Sequence, residues 1–171
     1  MWRWAAWGGG CCVRSWWGSA MEQNNTNWVA ERAKCEIDQL VADIMRLVQE
    51  ATNQAHELPL PWAYIKKENR TGCRVTCVQN NQPVRECLFV HEPDRNMIQV
   101  VVRRQIASQP DELDQTYTIG TRWDAEKSKC RIVVNSPTAD EPLEFPHKHL
   151  WKAIQYILEP FFFPKESPTA S

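Results

Sequence analysis

Cysteine and histidine are the residues here whose chemistry would announce a site. Seven cysteines occur, Cys11, Cys12, Cys35, Cys73, Cys77, Cys87 and Cys130, and no pair has C-x-x-C spacing. Cys73 and Cys77 share one face if they lie on a strand, but at i and i+4 they sit about 13 Å apart, too far to bridge or to share a zinc ion. They read as reduced, buried thiols that pack like small hydrophobes, which points to a reducing, cytoplasmic setting. A cross-strand disulfide such as Cys77 with Cys87 stays open, as does a thiolate pairing of Cys87 or Cys130 with His91.

The histidines are His56, His91, His147 and His149. At a helix start, the two rings of His147-x-His149 point about 200° apart, so they do not converge on a metal. Acidic clusters at Asp111-Glu112-Leu113-Asp114 and Asp140-Glu141 fall in loops, where solvation is the default. No G-x-x-x-x-G-K-[ST], G-x-G-x-x-G or G-x-S-x-G motif is present among only six glycines, which disfavours a loop that cradles phosphate. No catalytic residue, metal or cofactor is assigned, and the balance leans against an enzyme.

The elements that position these residues centre on Cys73–Asn135. Cys87–Val90 and Met97–Arg104 are apolar runs of strand length, and Glu92–Asn96 between them is rich in turn formers, which predicts a hairpin. Alternation places Cys73, Val75 and Cys77 on one face, then Ile98, Val100 and Val102, then Tyr117, Ile119 and Trp123, then Cys130, Ile132 and Val134. That pattern marks a half-buried antiparallel sheet. An edge strand at Ala63–Lys66 is a further candidate.

The outward set is Arg74, Thr76, Gln99, Arg103, Thr116, Thr118, Arg122, Lys129 and Arg131. It forms an open face rich in arginine and threonine. Within it, Arg74, Arg103, Arg122, Lys129 and Arg131 are the candidate partner-binding residues. No aromatic residue on this face offers a base-stacking platform, which weighs against RNA.

Helical periodicity flanks the sheet. Ile37, Leu40, Val41, Ile44, Leu47, Val48 and Ala51 recur at three- and four-residue spacing, which predicts one amphipathic helix of about 28 residues from near Trp28 to near His56. Asn24–Asn27 is suited to capping it, and Leu58-Pro59-Leu60-Pro61 ends it. Ser136–Leu143 reads as a loop. Leu150, Trp151, Ile154, Ile157 and Leu158 define a second helix that stops at Glu159-Pro160. Phe161-Phe162-Phe163-Pro164 beyond it is too apolar to hang free.

Three segments follow from composition. Met1–Ala20 carries five of the nine tryptophans, three consecutive glycines and no acidic residue. It reads as a disordered or non-native extension, with Met21 as the natural start or the segment removed. Residues 21–164 form a single domain and 165–171 a disordered tail. The fold class is α+β: a long N-terminal helix, an antiparallel meander of about five strands, and a C-terminal helix packed on the same sheet face. In element order this is similar to frataxin-like and secretion-chaperone-like sandwiches.

A net charge of −1 gives no bulk attraction to nucleic acid or anionic membranes and little repulsion between copies, so weak homodimers are compatible with it. No run approaches the ~18 apolar residues of a membrane span. These features favour a small non-enzymatic protein-interaction or chaperone-like module that binds a protein partner through the open face. An accessory nucleic-acid-binding module on the same face is the alternative, and a thiol-dependent enzyme is the weaker one.

Overall fold

The computed structural model describes residues 27–60, 62–103 and 114–165. The expectations for Met1–Ala20, for the tail after Lys165, and for Cys11, Cys12, Arg104 and 111–113 lie outside them.

The elements are α1 (Trp28–Ala33), α2 (Ile37–Glu57), β1 (Ala63–Asn69), β2 (Gly72–Gln79), β3 (Gln82–Glu92), β4 (Met97–Arg103), β5 (Asp114–Asp124), β6 (Lys129–Asn135), β7 (Leu143–Pro146) and α3 (Leu150–Phe162). The strands make one antiparallel meander in the order β1 to β7. Among the described residues seven strands replace the five expected. The edge candidate at Ala63–Lys66 is strand β1, and β7 begins at the end of the stretch read as a loop. β7 has four residues and lies on an edge, where Pro146 is tolerated because it owes no outward hydrogen bond.

Local chemistry sets the turns. Asn80 and Asn81, both at positive φ (52° and 62°), join β2 to β3 as a two-residue hairpin loop whose twist matches the strands. Asn69 closes the preceding hairpin through its side-chain carbonyl, which accepts from the Thr71 and Gly72 amides at 2.9 and 2.8 Å.

One sheet face is the core. Cys73, Val75, Cys77, Cys87, Phe89, Ile98, Val100, Val102, Tyr117, Ile119, Ile132 and Val134 are buried there, as their alternation predicts. Trp123 shares that parity but is only partly buried. Helix α2 covers the face with Ile37, Leu40, Ile44 and Val48, and α3 covers it with Ala153, Ile157, Leu158 and Phe161. Truncating a fully buried residue such as Ile44 to alanine removes about 2–5 kcal/mol.

Both helices depart from expectation. The single long helix is broken at Lys34-Cys35-Glu36, where Glu36 is extended (φ −75°, ψ 126°). Cys35 is disulfide-bonded to Cys130 on β6, and Thr121 Oγ1 donates to the Cys35 carbonyl at 2.7 Å. That overturns the reading of Cys35 and Cys130 as reduced thiols and removes them from the argument for a reducing compartment. At the C-terminus, α3 continues through Pro160 to Phe162. Phe161 and Phe162 are buried, and both pack edge-on to Tyr64. Burying two phenylalanines outweighs the one backbone hydrogen bond that proline cannot donate.

Candidate interaction surface

Strand register lays out the sheet face opposite the helices row by row. One row runs Thr76–Glu86–Arg103–Asp114, and the next runs Arg74–Leu88–Val101–Thr116. Another runs Val90–Gln99–Thr118–Asn135. Further along β5 and β6 come Gly120–Val133–Glu144, Arg122–Arg131–Pro146 and Asp124–Lys129. All five predicted binding residues therefore share this face.

The four arginines among them form two clusters, each built on a carboxylate that the sequence reading did not weigh. Glu86, with a side chain only 13% exposed, lies 2.9 Å from Arg103 and 3.6 Å from Arg74. Arg103 also bonds Asp114 at 3.2 Å. At the other end, Glu144 lies 2.7 Å from Arg122 and 3.5 Å from Arg131. Lys129 has no ion pair among the described residues. Between the clusters stand Leu88, Val90, Val101 and Val133, each partly buried and outside the core cluster. The face is thus an apolar centre framed by arginines already answered by carboxylates, rather than a basic plate. Parity along Arg85–His91 could have placed Glu86 on this face. Nothing could have placed Glu144 before β7 was recognised.

The other chemistry-bearing residues are dispersed or buried. Cys73, Cys77 and Cys87 line the core as free thiols. Burial pushes the Cys73 thiol up to about 11, raises Cys77, and holds Cys87 well above the usual thiol range. His91 shares the inner parity of Cys87 on the same strand, which at i and i+4 leaves them about 13 Å apart, and it faces Asp38 at 3.5 Å instead. Cys130 is committed to its disulfide. Burial, with Lys34 adding to it, lowers the His147 pKa, so neutral imidazole is favoured there. Among the described residues, no group of three or more His, Cys, Asp or Glu side chains is placed to hold a metal.

Arg85 is a cation the sequence did not single out. It lies on the core side, 5.3 Å from the Trp62 ring centroid and 5.9 Å from that of Phe161. It donates to the Phe161 carbonyl and the Tyr64 hydroxyl at 3.2 and 3.3 Å, closing the core beneath α3. Its role is structural.

The helical side carries a second surface. A groove of about 410 Å³ runs between α2 and α3 over Leu47, Ala51, Ile154, Leu158 and Phe162. Trp151 and Phe163 stand in its wall at 48% and 57% exposure. Among the described residues, no helix is long and apolar enough to cross a membrane.

Comparison with protein-family models, with curated proteins and with solved structures found no match. The likeness in element order to frataxin-like and secretion-chaperone-like sandwiches therefore carries no family assignment, and function rests on the surfaces themselves.

Proposed function

We propose that this protein is a non-enzymatic protein-interaction module that binds a protein partner through the open sheet face. The observation that carries this is the patch Leu88, Val90, Val101 and Val133 on a sheet face with no helix over it among the described residues, bounded at both ends by arginine–carboxylate clusters. An apolar centre with a charged rim is the anatomy of a protein contact: the centre supplies affinity, and the rim supplies orientation. The arginines serve a partner that offers carboxylates in exchange for Glu86 and Glu144. The same internal pairs count against a phosphate backbone, which draws on unanswered cations. The raised thiols likewise count against thiolate chemistry.

Affinity capture with mass spectrometry tests the reading, using wild type, Arg103→Glu/Arg131→Glu, and Glu57→Gln at the exposed end of α2 as a control on the helical side. Each chain is first confirmed folded by circular dichroism. The expected result is a set of proteins lost from the sheet-face variant and retained by the control. Equal capture by wild type and the sheet-face variant would overturn the proposal.

A further inference from the structure

The exposed side of α3 has a charge pattern the monomer does not use. Trp151, Lys152, Gln155 and Glu159 are exposed, as is Phe163 just past the helix end, while Ala153, Ile154, Ile157 and Leu158 face the core. At 100° per residue, the exposed five fall within about 120° of arc, a single stripe. Lys152 and Glu159 lie two turns apart on it, about 10.5 Å along the axis, beyond the i,i+4 reach that would let them pair. Neither has an ion-pair partner among the described residues. Lys152 Nζ rests 5.4 Å from the Trp151 ring centroid, and its three donors leave it free to bond elsewhere as well.

We propose that α3 packs antiparallel against α3 of a second copy, about a two-fold axis passing beside Gln155 and Tyr156. Lys152 and Glu159 are equidistant from that axis, so each lysine faces the glutamate of the partner and one operation makes two ion pairs. Trp151 and Phe163 lie about 4.5 and 7.5 residues from that axis and on either side of the Lys152–Glu159 line, so they border the contact rather than meet across it. Self-complementarity of this kind is what an isologous interface demands. A foreign helix of uniform charge would be attracted at one end of the stripe and repelled at the other. With a net charge of −1, long-range repulsion does not oppose the pairing.

Sedimentation equilibrium of the full chain, across micromolar to hundreds-of-micromolar concentrations, tests this. Wild type is expected to show a concentration-dependent dimer. Lys152→Glu or Glu159→Lys alone turns two attractive contacts into two repulsive ones and weakens association by about tenfold or more. The double swap Lys152→Glu/Glu159→Lys restores it, which a merely structural role at either position would not produce. All three variants change exposed side chains, and circular dichroism checks their folding. A monomer at every concentration overturns the proposal. A dimer indifferent to single reversal, or not restored by the double swap, overturns it equally.

Discussion

Removing the Cys35–Cys130 bridge tests how the N-terminal helices are held to the sheet. The two residues are 95 apart in sequence. Freeing that loop returns about 16 cal/mol/K to the unfolded chain, about 4.7 kcal/mol at 25 °C on the chain-entropy account. That figure is a ceiling, because the native state also gains freedom when the bridge opens. Helix α1 buries no residue, and its junction with α2 then relies on the Thr121 hydroxyl bond to the Cys35 carbonyl, a contact worth about 1 kcal/mol. The expected net loss is about 2–4 kcal/mol. For a chain of this size that lowers Tm by about 5–15 °C. Thermal unfolding with and without a dithiol reductant measures it, and Cys35→Ala/Cys130→Ala should unfold near the reduced wild type. Alkylation under denaturing, non-reducing conditions provides the check on the premise. Cys73, Cys77 and Cys87 should label there, Cys35 and Cys130 should not, and none of the three buried thiols should label in native buffer. Labelling of Cys35 and Cys130 without reductant would refute the bridge. An unchanged Tm on reduction would refute the loop-entropy reasoning.

Two further predictions probe the sheet and its junction with α3. A Cβ on Gly72 would lie 1.8 Å from the Phe89 carbonyl oxygen, so Gly72→Ala should cost about 2–3 kcal/mol in urea titration. Gly120→Ala, which meets nothing within 4 Å, should be neutral or gain up to about 1 kcal/mol; equal effects at the two sites would mean that β2 and β3 do not pair in this register. Burial, with Cys77 adding to it, pushes the Tyr64 phenol up to about 12, above its ordinary value of about 10. The folded state therefore keeps a proton that the unfolded state loses, so this contribution is intact below pH 10 and is lost as pH rises towards 12. Wild type should lose Tm faster than Tyr64→Phe across that window, and parallel profiles would contradict the assigned environment.

What the sequence shows about this fold divides along a physical line. Period-two alternation from Cys73 to Asn135 identifies both sheet faces because each side chain's direction depends only on its own strand. The break in the first helix has no such local signature. Lys34-Cys35-Glu36 contains neither proline nor glycine, and the interruption coincides with a covalent link to a residue far along the chain. Pro160 is the converse case. The local rule stops the helix there, yet the burial of Phe161 and Phe162 against Tyr64 carries it on. Strand β7 is invisible for a third reason, since the four residues Leu143–Pro146 are too few for a period to emerge.

The open face shows the same division at the level of charge. Parity is enough to gather Arg74, Arg103, Arg122, Lys129 and Arg131 on one side. Neutralisation of the four arginines is not readable that way, because which carboxylate meets which arginine depends on the register between strands. Glu86 reaches Arg103 from the neighbouring strand, and Glu144 reaches Arg122 and Arg131 from β7. The consequence for binding is specific. A partner carboxylate that takes Arg103 must displace Glu86, whose side chain is only 13% exposed, so exchanging one ion pair for another yields little net affinity. On the proposed reading, most of the binding free energy then comes from covering Leu88, Val90, Val101 and Val133. The arginines decide where along the sheet a partner settles, so reversing them should alter which partners bind more than how tightly an apolar segment adheres.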